Sequence, residues 1–177
     1  MRTRTLLVSL SSTALLALGI VLPTSAAADV TTATVTVQGG SLSISAPATA
    51  GNLGSQHNSV AGEIISGSLG QVQVDDARSA VAGSTWVASV ISSAFTPPAG
   101  PAIAASAVGY TAGAITKVGT ATYTANDPGN LTGVSPAVTA TGITGDNSAT
   151  WNPTITVTVP GGMAAGIYSA TITHSVV

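Results

Sequence analysis

Polar and β-branched apolar residues alternate along much of this chain. Thr154-Ile155-Thr156-Val157-Thr158-Val159 is the cleanest stretch, with Ile155, Val157 and Val159 on one face and three threonines on the other. A period of two held this long predicts a half-buried strand. Val72 and Val74 alternate with Gln71, Gln73 and Asp75, and Leu42 and Ile44 alternate with Ser41, Ser43 and Ser45. Thr34-Val35-Thr36-Val37 repeats the pattern, and Gly39-Gly40 between it and Leu42 predicts a hairpin. From Trp86 to Phe95 both faces are apolar, Trp86, Ala88 and Val90 on one and Val87, Ile91 and Phe95 on the other, which predicts a central strand. Ala102–Ala107 could form a helical turn, limited by Gly109 and Gly113; no other stretch keeps a helical period. Turns are predicted at Pro97–Pro101, Asn126–Asn130, Gly145-Asp146-Asn147 and Pro160-Gly161-Gly162. The fold class that follows is all-β, an Ig-like antiparallel β-sandwich of about seven to nine strands.

The amino end departs from this pattern. Arg2 and Arg4 precede an apolar run from Leu6 to Leu22, Pro23 breaks it, and Ser25-Ala26-Ala27-Ala28 supplies small residues. Charged, apolar and small-residue regions in that order predict a secretory signal peptide over residues 1–28, cut after Ala28, with Ala27 the alternative. A membrane anchor fits less well, because Ser9, Ser11, Ser12 and Thr13 interrupt a run already short for a span. The expected mature chain, residues 29–177, is one domain without a membrane span.

Charge narrows the function classes. Removing the leader leaves Arg78 and Lys117 against Asp29, Glu63, Asp75, Asp76, Asp127 and Asp146, a net charge of −4. Two cations cannot neutralise a row of phosphates, so no nucleic-acid partner is expected. The chain has no cysteine, which excludes disulfides and thiolate-bound zinc. The expected location is outside the cell. The carboxyl end shows no wall-sorting motif, so attachment to a surface is expected to be non-covalent.

Two segments carry a family resemblance. The first is Asp75-Asp76-Ala77-Arg78 followed by Ala82-Gly83-Ser84-Thr85-Trp86-Val87-Ala88-Ser89-Val90 and Ala94-Phe95. The second runs from Gly145-Asp146-Asn147 through Ala149-Thr150-Trp151-Asn152-Pro153 and Ala165-Gly166-Ile167-Tyr168 to His174-Ser175-Val176. Together they resemble the WxL-type surface proteins of Gram-positive bacteria, and more closely their actinobacterial secreted relatives. Alanine stands at Ala88 where the first Trp-x-Leu motif has leucine, and His174 stands where the second has tryptophan. The resemblance implies a β-sandwich on the cell surface, held non-covalently to peptidoglycan.

The candidate ligand-binding residues are Trp86, Trp151, Asp146, Asn147, Asp75, Asp76 and Arg78. Each tryptophan is either a platform for a sugar ring or a core anchor with its N–H bonded; the core reading leads for Trp86. Asp75, Asp76 and Arg78 form the one charge cluster, read first as an ion pair fixing a turn, since no calcium-loop spacing is present. His57 lies in a polar loop and His174 on an apolar strand parity, so neither is expected to hold a metal, and no cofactor is expected. Gly133-Val134-Ser135-Pro136-Ala137 lacks the helix of a nucleophile elbow, and no carboxylate pair is spaced for glycoside hydrolysis. The expected function is therefore non-enzymatic: association with peptidoglycan or wall polysaccharide, or with other surface proteins. Two alternatives stand beside it, a structural subunit joined by strand edges and a secreted hydrolase whose site carries no motif.

Overall fold

The computed structural model describes residues 32–177. The expected leader, residues 1–28, lies outside them. Contacts divide the chain after Thr36, and Val37–Val177 forms one compact unit that holds every strand described below. The strands are β1 Leu42–Ser45, β2 Glu63–Ser68, β3 Val72–Ser92, β4 Val108–Thr111, β5 Ile115–Ala125, β6 Ser135–Trp151, β7 Thr154–Val159 and β8 Ile172–Val176. The only helical element among the described residues is a 3-10 turn at Ala105–Ala107, inside the stretch where a helical turn was expected.

All pairings are antiparallel. One sheet runs β1-β3-β6-β5, with β8 also on β3; the other runs β2-β7-β4. β1 and β8 share one side of β3, opposite its two ends: Leu42 faces Asp76 and Val176 faces Ala88. β3 is therefore central, as its two apolar faces predict. The sandwich forms because period-two patterning gives each sheet one apolar face, and the two faces close on each other. Val72, Val74, Trp86, Ala88 and Val90 of β3 meet Val108, Tyr110, Ile155 and Val157 of the second sheet in one buried cluster. β7 matches its pattern, with Ile155 and Val157 buried and the threonines toward solvent or half-exposed.

Three local predictions are corrected. Thr34–Val37 is not a strand and no hairpin turns at Gly39-Gly40; β1 pairs with β3, and Gly40 N–H donates to Ala77 C=O to extend that ladder. Alternation makes a strand possible, but a strand needs an edge to bond to. Gly145-Asp146-Asn147 is not a turn between strands but a bulged stretch inside β6. Here the β3–β6 register shifts between Asp76 and Ala80, and the β5–β6 register shifts between Val118 and Thr120. The acidic–Arg segment, expected as a turn, is likewise part of β3.

Candidate binding cleft

The bulges gather four of the predicted site residues into one network. Arg78 Nε donates to Asp76 Oδ1 at 2.8 Å and Arg78 Nη2 donates to Asp76 Oδ2 at 2.9 Å. Asn147 Nδ2 donates to Asp76 Oδ2 at 3.2 Å. Asn147 Oδ1 in turn accepts from Trp86 Nε1 at 3.1 Å and from the Tyr123 hydroxyl at 3.1 Å. The Arg78 hydrogen bonds hold the Asp76 carboxyl below its ordinary pKa against the opposing effect of burial. Burial pushes the Tyr123 hydroxyl up, so it stays a neutral donor. Both Asp76 oxygens are occupied, and Asp76 is only 1% exposed. The network joins β3, β5 and β6 across their irregular middle; its buried members, Asp76, Asn147 and Trp86, are spent on one another, while the Arg78 side chain stays 36% exposed.

The remaining candidates separate. Asp146 Oδ1 accepts from Ser79 N–H at 2.8 Å, which holds Ser79 at φ 52. Asp75 faces the other side of β3 and bonds Gln73. Trp151, at the end of β6, is buried and donates to the Tyr110 hydroxyl at 2.7 Å. Neither Trp86 nor Trp151 is a stacking platform: at 1% and 2% exposure their rings fill the interior. Tyr110, which the sequence reading missed, bridges the sheets. Its hydroxyl lies 3.3 Å from His174 Nε2, and the rings tilt at 59°. Trp151 supplies a hydrogen to the Tyr110 oxygen, so the phenol proton is free to serve His174 Nε2. Burial lowers the His174 pKa and favours the neutral ring; its Nδ1 is buried without a partner.

A larger concave feature than the roughly 300 Å³ hollow between Tyr110, Asp127 and Thr156 lies elsewhere, beside β2. A cleft of about 750 Å³ opens between a long loop, residues 47–58, and the segment 163–172. That is within the roughly 300–1,000 Å³ usual for ligand sites. Its floor is Ile65, Leu69, Phe95, Ile103 and Val157, the edge of the sandwich interior. Its walls carry amides, hydroxyls and small residues together with Leu53, Ile167 and Ile172, the ionisable Glu63 and His57, and Tyr168. The Tyr168 hydroxyl donates to Ala164 C=O at 2.9 Å. Asn58 Nδ2 donates to Met163 C=O and so ties the loop to the opposite wall. Leu53 packs against Gly67 of β2, whose missing side chain makes room: a Cβ there would come within 2.3 Å of Leu53 C=O.

The ionisable groups lining the cleft are Glu63 and His57. Among the described residues no hydrogen bond links them to each other or to a cleft serine, and no three His, Asp or Glu side chains converge. No described helix is long and apolar enough to cross a membrane. The sequence reading placed none of its candidates here, because loop glycines and alanines carry no chemical signature; Tyr168 was the available signal. Comparison of the chain with models of known families, with curated proteins and with solved structures finds no match.

Proposed function

We propose that this chain is a non-catalytic protein of the bacterial cell exterior, which associates non-covalently with the wall or with other surface proteins and seats its ligand in the cleft beside β2. The cleft carries this reading: an apolar floor with mostly uncharged hydrogen-bonding walls, Glu63 and His57 excepted, suits an extended, largely uncharged ligand. Acid–base cleavage of a sugar chain needs two carboxylates, and Glu63 is the one in the cleft. The signal-peptide pattern of residues 1–28 and the resemblance to WxL-type surface proteins support a place outside the cell.

The test is retention of the secreted chain by purified wall sacculi and by intact cell surfaces, alongside an Ala165→Trp variant that sets an indole on the exposed cleft wall. Retention of the wild type and weaker retention of the variant are expected. Equal free fractions of both on both supports would sink the reading.

A further inference from the structure

The cleft exists because one sheet is short. Five strands face three, and β2, the outer strand of the smaller sheet, bonds to β7 alone. Its pairing with β7 keeps one register from Glu63 to Ser68. Of its inward positions, Glu63 and Ile65 line the cleft and Gly67 is covered by Leu53, so the cleft meets the unpaired edge along the first part of β2. A strand added along β2 would gain main-chain hydrogen bonds, and every second side chain would point onto the apolar floor.

The other edges are less suited. β1 and β4 have four residues each and β8 has five. β5 carries Lys117 and two register shifts around the left-handed Gly119, devices that blunt an edge. β2 has neither a bulge nor a proline, and its one charge is Glu63 at its start.

The chain also holds a strand-like pattern that pairs with no strand among the described residues. Thr34-Val35-Thr36-Val37 alternates as strictly as β7, yet none of residues 32–41 is in a strand. Val35 is 91% exposed and Val37 80% exposed. In an extended conformation both would lie on one face, with threonines on the other. That is the pattern the edge of β2 accepts: two β-branched side chains for the cleft and hydroxyls for solvent.

We infer that the cleft of one copy receives residues 32–38 of a second copy as an added strand on β2. This rests on the cleft being the ligand seat and names its occupant. Donor and acceptor are different surfaces of one chain, so the contact is head-to-tail and can repeat, giving open or ring-shaped assemblies. The segment brings no charge to the cleft, so the lone Glu63 meets neither repulsion nor a salt bridge.

Sedimentation velocity of the full chain, secreted through its own leader, tests this over rising concentration. Dimers and larger species should grow with concentration. A Val35→Asp, Val37→Asp variant, altered only at exposed positions, should melt as the wild type does and stay monomeric. Ala165→Trp should also stay monomeric, and mixing it with the donor variant should yield dimers that grow no further. A wild type that is monomeric up to its solubility limit overturns the inference, as does a donor variant that still assembles. Sacculus retention by a strictly monomeric chain would reject this occupant while leaving the cleft as a binding seat.

Discussion

At the scale of single residues, Asn147 is the position on which most depends. It takes hydrogens from Trp86 and Tyr123 and gives one to Asp76, in a strand where neighbouring ladders lose register. Asn147→Ala leaves the Trp86 N–H buried and unpaired, and a buried orphan costs about 1–3 kcal/mol. Urea unfolding should show a loss in that range with an unchanged slope. His174 gives a second prediction. Its folded pKa lies below the ordinary 6.5, so the unfolded chain binds the extra proton first as pH falls. The contribution of His174 is complete above about pH 6.5 and declines below it, toward the lowered folded pKa. Melting temperature should therefore drop between about pH 7.5 and about pH 5, and drop less in His174→Gln. The Asp-x-Arg pair could be read in the sequence, since Asp76 and Arg78 are two apart. Its link to Asn147, 71 positions away, could not.

At the scale of elements, alternation was readable where a strand had a neighbour to bond. β7 and the Trp86 half of β3 follow their patterns because each is paired on both sides. Thr34–Val37 has the same pattern and pairs with no strand among the described residues, so pattern alone did not decide its state. Gly145-Asp146-Asn147 has turn chemistry, yet β3 and β5 hold it on both flanks and the chain bulges instead of reversing. Gly119 makes that bulge possible. It sits at φ +87, and a Cβ would lie 2.5 Å from Asp146 C=O. Gly119→Ala should cost about 1–3 kcal/mol by thermal or urea unfolding, through backbone strain and the clash together. A neutral result would mean that β5 and β6 do not meet as closely as described.

At the scale of the whole molecule, the two-sheet class was legible because threonine-valine alternation and turn residues recur along the chain. The unequal size of the sheets was not, since strand order across a sandwich depends on long-range pairing. The cleft is a consequence of that inequality, so it too left no local trace beyond Tyr168. Hydrogen exchange, followed by mass spectrometry on the chain free and on the chain held at a cell surface, tests the cleft's role most directly. The account predicts that amides of Glu63–Ser68 and of residues 163–172 exchange more slowly in the held state, while those of Ile115–Ala125 do not change. Slowing confined to Ile115–Ala125, with β2 and the cleft walls unaltered, would contradict it.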